Sequence, residues 1–342
     1  MTFRFPVLFS RFLARTLVMG LLAPFFLVMP AQAQTPDPEL SALAHSRLPV
    51  QLLLNQGMTL LYGPAREALE NAETDDLTAF GGAMGGRQEV SRTGYTSIDG
   101  FSFLAGLGRR NIIEDSPLAA FTYGFFAEGG TGSFETRGTL DAKTASSEGR
   151  GHYVGGGLIL KTEFHNGAYM DGAFRVGQAG ANLKTLKLEN QTIDWDPSNI
   201  YFSAGGTLGW QADLTDQLEL DVYGRLLWSH QGAGKKQGKL QVASIHSTRT
   251  VFGARADFQA GEGRVIYLGA GWEHEFNGRA GLAADSHEIP GSSLAELEGN
   301  SLVGEMGLRL AGADGFTASF GLDGALGRRE ALAGVLRLGY DF

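Results

Sequence analysis

Two short motifs combine groups that could carry out hydrolysis. Asp194-Trp195-Asp196 and Asp285-Ser286-His287 each place two ionisable side chains two residues apart. Such residues share a face of an extended segment, and carboxylates beside an imidazole could activate a water molecule. Motifs this short also arise by chance in an acid-rich chain. The sequence therefore favours a protein that is not an enzyme.

The remaining histidines and glycines indicate no catalytic, metal or phosphate site. His246 and Ser247 are adjacent, so in a strand they face opposite sides and form no nucleophilic pair. His45-Ser46 precedes the predicted strands. The seven histidines are dispersed and cysteine is absent, so we expect no metal site and no cofactor. The Gly81-Gly82, Gly85-Gly86 and Gly155-Gly156-Gly157 runs lack the following helix and lysine of a phosphate loop.

The N-terminus has the pattern of an export signal. Three arginines precede an apolar run from Leu17 to Met29, and Ala31-Gln32-Ala33 follows. This order predicts a signal peptide over residues 1–33 with cleavage after Ala33. Beyond it no run approaches the ~20 apolar residues of a membrane-spanning helix. If the mature chain crosses a bilayer, it must do so as a closed barrel.

Composition excludes one class of partner. The net charge is −9, and removing the arginines of the leader makes it more negative, which argues against nucleic acid. The 50 glycines are scattered through alternating segments rather than collected in linkers, a distribution that suits curved strands in close contact.

From residue 76 onward, apolar and polar residues alternate with a period of two, which predicts strands. In Gln217–Ser229, for example, Leu218, Leu220 and Val222 share one face, whereas Glu219 and Asp221 share the other. The predicted strands are 76–90, 94–109, 117–135, 148–164, 167–183, 199–213, 217–230, 239–258, 263–277, 299–312, 315–327 and 329–342. About twelve strands indicate an all-β fold, a transmembrane antiparallel up-and-down β-barrel with a short N-terminal helical segment.

Connection lengths support this topology. With both ends of the barrel in the periplasm, connections after even-numbered strands include short turns such as His165-Asn166 and Ala313-Asp314. Those after odd-numbered strands include the longer Thr136–Ser147, Lys184–Ser198 and Gly278–Glu298. Short inner turns and longer outer loops are typical of outer-membrane barrels.

The two faces of the strands then acquire different surroundings. We expect the apolar face, with Trp210 and Trp228 near its edges, to contact lipid. The polar face carries charges of both signs and would line the lumen. Its predicted lumen-facing residues are Lys161, Asp171, Arg175, Asp221, Arg225, Glu273, Glu305, Arg309, Asp323 and Arg337.

Residues 34–75 follow a different pattern. Leucines recur there at spacings closer to a helix than to a strand, interrupted by Pro49, Gly57 and Pro64. We expect one or two short helices, which form either a periplasmic linker or a plug inside the lumen. The barrel is predicted over residues 76–342.

The last strand, Ala333–Phe342, is the most informative stretch. Leu336, Leu338, Tyr340 and Phe342 share one face, and the chain closes on that aromatic residue. Together with the helical stretch and about twelve glycine- and aromatic-rich strands, it resembles the translocator domain of autotransporters. That resemblance implies an outer-membrane location and insertion by the barrel-assembly machinery with periplasmic chaperones. Leu338, Tyr340 and Phe342 would then be the assembly signal, and the partners would include outer-membrane lipid.

The chain departs from that family in having only Gln34–Asp75 between signal and barrel, which leaves no passenger of ordinary size. A structural, surface or transport role is therefore the first interpretation, and a passive channel is the alternative. Some relatives cut themselves at an asparagine of the lumenal helix, for which Asn55 and Asn71 are the candidates. A second alternative rests on the two acidic motifs in the outer loops, which resemble those of the omptin surface proteases.

Overall fold

The computed structural model describes residues 46–65, 77–91, 94–113, 116–140, 143–185, 187–188, 191–192, 198–234, 240–284, 287–288, 295–312 and 315–342. Helix α1 spans Leu48–Leu60 and continues into a π-helical turn at Leu61–Ala65. Twelve long strands follow. They are β1 Leu77–Ser91, β2 Gly94–Ile112, β3 Leu118–Leu140, β4 Lys143–Phe164, β5 Ala168–Thr185, β6 Asn199–Thr215, β7 Leu218–Gln231, β8 Ile245–Gln259, β9 Arg264–Glu275, β10 Gly299–Ala311, β11 Phe316–Gly327 and β12 Arg329–Asp341.

These twelve strands form a closed antiparallel barrel in which each pairs with its sequence neighbours. Strand β12 returns to β1, with Thr78 opposite Asp341 and Val90 opposite Arg329. The predicted up-and-down barrel is therefore confirmed. We call the edge that carries the connections after odd-numbered strands the loop end, and the opposite edge, where β1 begins and β12 finishes, the turn end.

Two predicted boundaries are wrong. The expected loop Thr136–Ser147 is mostly strand, because β3 and β4 continue as a paired hairpin to Leu140 and Lys143. The expected strand 239–258 is divided, because Leu240–Val242 leaves the barrel and pairs with Leu282–Ala284 of another loop. Backbone pairing between two loops is not recorded in the polarity pattern of either.

The apolar faces point outward. On β10, Leu302 and Met306 are 64% and 52% exposed, whereas the neighbouring Ser301 faces inward and is buried. Other outward apolar side chains include Ile200, Leu208, Trp210, Val222, Leu226, Trp228, Ile266, Leu268, Trp272, Phe320, Leu322 and Leu326. A continuous exposed apolar band is suited to hydrocarbon, and it would aggregate in water.

Helix α1 lies inside the barrel. Twelve strands about 4.8 Å apart and tilted by about 40° close on a backbone circle about 24 Å across. After the inward side chains are allowed for, such a lumen admits one helix of about 10–12 Å diameter. All of α1 except Thr59 is buried. No helix within the described ranges is long and apolar enough to span a bilayer.

The sequence of α1 matches this enclosure. Pro49 stands in the first turn, where its missing N–H costs nothing, so it starts the helix rather than interrupting it. The expected break at Gly57 is absent, and the helix runs through it. Apolar residues on all sides are typical of a helix that is enclosed. Leu52 and Leu53 pack with Ile98 and Phe134 nearer the loop end, and Met58 packs with Phe80 and other side chains further down.

Candidate functional site

The lumen is the candidate site, because many of the buried polar side chains in the described part of the chain lie there. Polar wall residues hold α1 by direct hydrogen bonds. Beside α1 remains a cavity of about 290 Å³, bordered by Gln56, Thr59 and Tyr62 on the helix side and by charged residues of β7–β12 on the other. Part of the lumen is thus filled by the helix and part is polar space.

The N-terminal end of α1 is tied to the loop end of β7. The Arg47 Nη2 donates to the carbonyl oxygen of Gly232 at 2.9 Å and to Gln231 Oε1 at 3.3 Å. Gln231 Nε2 donates to Gln51 Oε1 at 2.8 Å, and Gln51 Nε2 donates to Ser229 Oγ at 2.7 Å. Burial lowers the pKa of Arg47 to about 10, so its guanidinium stays charged at neutral pH.

The middle of α1 is held by amide side chains. Gln56 Nε2 donates to the carbonyl oxygen of Met84 on β1 at 3.1 Å. In return, Gln88 Nε2 on β1 donates to the carbonyl oxygen of Leu52 at 3.2 Å. Because a buried amide without a partner is costly, these reciprocal bonds fix both the rotation and the height of the helix.

A buried ion pair completes the contact on the other side of the helix. Arg175 Nε and Nη2 donate to the two carboxylate oxygens of Glu128 at 2.8 Å and 2.7 Å, and Tyr201 donates to the same carboxylate at 2.7 Å. The remaining Nη1 of Arg175 donates to the carbonyl oxygen of Leu54 at 3.0 Å. The pair is fully enclosed, with side-chain exposures of 1% and 0%. A bidentate pair of this kind is geometrically specific.

Gly57 is the point of closest approach between helix and wall. A Cβ at this position would lie 2.7 Å from Arg175 Nη2 and closer still to the hydroxyl of Tyr153. Below it, the guanidinium of Arg225 stacks over the ring of Tyr62 at 4.8 Å. Burial is the main cause that raises the pKa of Tyr62, so the phenol stays neutral.

The cavity wall carries two ion-pair networks. Glu273 bridges Arg249 and Arg329, each at 3.0 Å. Further toward the turn end, Arg255 pairs with Asp257 at 2.6 Å. Each network keeps opposite charges in contact, so the wall carries charges of both signs.

The predicted lumen-facing residues all lie on the inner wall. Lys161 pairs with Glu163 at 3.0 Å, and Asp221 accepts a hydrogen bond from Tyr169 at 2.8 Å. Asp171 and Arg175 are buried. The residues on that list that border the cavity are Asp221, Arg225, Glu273, Glu305, Arg309, Asp323 and Arg337.

Arg175 is on the predicted list, but several other residues that hold the helix are not. Glu128 and Tyr201 anchor Arg175, and Gln51 and Gln56 belong to the helix itself. Glu128 could have been selected from the sequence, because it is a charged residue on the face of β3 opposite to the outward Phe125. The helix glutamines had none, because their bonds depend on its rotation in the lumen.

The candidate catalytic motifs fall largely outside the described residues. Asp194-Trp195-Asp196, Asp285 and Ser286 lie outside the described residues, and His287 is described only as part of a two-residue strand. Ser247 is buried and donates to Glu275 Oε2 at 2.9 Å, whereas His246 points outward. Across the described ranges, no three potential ligands gather into a metal cluster. Asn55 accepts a hydrogen bond from Gln51, and Asn71 and His45 lie outside the described residues.

The C-terminal residues lie on the outer surface at the turn end. Leu338, Tyr340 and Phe342 are exposed, and the rings of Tyr340 and Phe342 meet edge to face with centroids 5.0 Å apart. The backbone N–H of Phe342 donates to the carbonyl oxygen of Leu77, at the start of β1, at 3.1 Å. The aromatic terminus therefore sits at the seam that closes the barrel.

Comparison with known proteins identifies a family and a fold. A model of the autotransporter β-domain matches residues 79–323. The translocator domain of the autotransporter NalP from Neisseria meningitidis is 14% identical, covers 88% of this chain and 98% of its own, and has a TM-score of 0.57. The transport unit of AIDA-I from Escherichia coli is 16% identical, with coverages of 90% and 100% and a TM-score of 0.58. The β-domain of the Bordetella autotransporter BrkA is 15% identical, covers 78% of this chain and 100% of its own, and has a TM-score of 0.56. Comparison with curated proteins finds no match.

Proposed function

The chain belongs to the autotransporter β-domain family of outer-membrane barrels, and from this premise we propose that it delivers the segment preceding α1 to the cell surface. The helix then stays in the lumen as an anchor and seal. The proposed role is one of transport and surface display, and it requires no enzymatic step.

One observation carries this proposal, namely the direction of α1. Arg47, at the start of the helix, is bonded to residues at the loop end of β7. The helix then descends to Tyr62 at the level of Arg225, well inside the barrel. Strand β1 starts at the turn end. In outer-membrane barrels the turn end faces the periplasm, so a chain that runs this way enters the lumen from the outside.

Surface accessibility tests the proposal. An epitope inserted after Pro38 should bind antibody on intact cells, because this position precedes the loop-end anchor. The same epitope inserted between Asp216 and Gln217, in a turn of the opposite edge, is the matched control and should bind only after permeabilisation. If the Pro38 epitope also requires permeabilisation, the chain does not display its N-terminal side and the proposal is wrong.

The exposed C-terminal aromatics support a second part of the proposal. Phe342 and Tyr340 lie beside the β1–β12 seam, where an assembly factor could hold the last strand before it pairs. We therefore propose the barrel-assembly machinery as a partner during insertion, with periplasmic chaperones delivering the chain and outer-membrane lipid surrounding the finished barrel.

Passive conduction is a second candidate, favoured by the cavity beside α1. Its wall is charged on β7–β12, and the helix contributes the small or polar residues Gln56, Thr59 and Gly63 to it. A hydrated space of this kind would pass small ions if it opened to both ends. Steady single-channel current from the intact protein would support it, and a silent bilayer would contradict it.

A further inference from the structure

Two histidines meet on the outer face of the barrel near the loop end. His230 is the penultimate residue of β7 and His246 is the second residue of β8, and the register places them directly opposite each other. Their Nδ1 atoms are 3.2 Å apart, and their ring centroids are 4.4 Å apart. Sequence spacing does not indicate this pair, because its members are sixteen positions apart and lie on different strands.

We propose that His230 and His246 chelate a borderline divalent metal ion of the Cu²⁺ or Zn²⁺ type. Imidazole nitrogen is a preferred ligand of these ions, and bond lengths are about 2.0–2.1 Å. Two such bonds at angles between square-planar and tetrahedral separate the nitrogens by about 2.9–3.3 Å. The observed separation of 3.2 Å lies within this range. The two rings supply two ligands, and water completes the coordination.

The tautomers of the pair agree with this role. Without metal, one Nδ1 must carry the hydrogen that the other accepts, as expected for two imidazoles in contact. With metal, both Nδ1 lone pairs bind the ion, so the hydrogen moves through water to Nε2 of the same ring. No net proton is released, and each ring needs only a small rotation because the ion sits beside the line between the nitrogens.

The surroundings favour a site that water can reach. Trp228 stacks on His230 with ring centroids 6.4 Å apart. Tryptophans of this kind mark the membrane interface, and the histidines stand two residues closer to the loop end. His246 is exposed and His230 is half-buried. The ion would therefore bind at the headgroup level of the outer face, away from the lumen.

Tryptophan fluorescence gives a direct test with Cu²⁺ as the probe. We expect saturable, one-to-one quenching of the detergent-solubilised, folded barrel. His230→Phe keeps a ring stacked on Trp228 but removes one metal ligand. His246→Phe removes the other ligand and also keeps an aromatic ring at its position. Each should weaken binding about 10²-fold, because chelation makes the second contact intramolecular. Trp228→Phe should remove most of the quenching signal. The metal affinity of this variant, measured by calorimetry in competition with Zn²⁺, should stay unchanged.

His274→Phe is the matched control. This histidine occupies the same outer face near the same edge and stacks on Trp272 at 5.6 Å, but it pairs with Asn300 rather than with another histidine. The His274→Phe variant should bind Cu²⁺ with the same affinity as the unmodified protein. Equal affinity in the His230 or His246 variants, or equal loss in the His274 variant, would overturn the proposal. Competition by Mg²⁺ or Ca²⁺ at similar concentrations would do so as well, because these ions prefer oxygen ligands.

Discussion

The contact at Gly57 determines how firmly α1 is seated. Its hydrogen atom faces Tyr153 and Arg175, and a Cβ there would stand 2.7 Å from Arg175 Nη2. Gly57→Leu adds four carbon atoms where the wall leaves no space for one. Either the helix moves away from β4 and β5, or Arg175 leaves its position and loses its bond to the carbonyl oxygen of Leu54.

Both responses weaken the seat by a similar amount. Overpacking of this kind costs about 1–3 kcal/mol, and the alternative, loss of a buried hydrogen bond at a charged group, also costs about 1–3 kcal/mol. A cost of about 3 kcal/mol would change the ratio of seated to displaced helix roughly 10²-fold. The barrel wall itself is untouched, so the strands should still close.

Single-channel recording measures this change. We expect Gly57→Leu to spend much more time at a high-conductance level than the unmodified protein. Thr59→Leu is the matched control, because Thr59 borders the cavity and a leucine there has room. Heat-modifiable gel migration should show that both variants are folded. If the two variants conduct alike, the helix is not held by the Gly57 contact.

Three further predictions follow from the same contacts. Deletion of residues 46–65 should raise the conductance above that of the intact barrel, and an unchanged current would show that α1 does not obstruct the lumen. Arg175→Met should lower the free energy of unfolding by about 3–5 kcal/mol by leaving Glu128 as a buried unpaired charge; adding Glu128→Gln should restore most of it in denaturant titrations, and an additive loss would contradict this. Removal of Phe342 should reduce the yield of folded barrel in membranes, whereas Phe316→Ala, another exposed aromatic at the turn end, should not; equal yields would argue against a role for the terminus in assembly.

Much of the barrel could be predicted because alternation reports which side of a strand meets an apolar environment. Strands β6, β7 and β9–β12 have polar lumenal faces, and their boundaries were predicted within a few residues. Strand β1 alternates poorly for a physical reason. Its inward Phe80, Met84 and Val90 pack in the interior. Its outward face includes Gly81, Gly85 and the charged Arg87 and Glu89, so the usual contrast disappears.

The site was less predictable than the wall. Charged lumenal residues could be selected from each strand separately, since facing inward requires only the period of two. Which of them meet depends on register around the barrel and on the position of α1. The contact of Arg175 with Glu128 and Leu54, and that of His230 with His246, are therefore products of closure.

The pairing of β12 with both β11 and β1 has a consequence for biogenesis. Thr78 and Asp341, joined by a 2.6 Å hydrogen bond between side chains, are 263 residues apart. Until the final strand pairs, the two edges of the incomplete sheet expose unpaired amide and carbonyl groups, which hydrocarbon cannot solvate. An incomplete barrel is therefore unstable in the bilayer unless another surface covers both edges, and pairing of the last strand is the step that removes this cost.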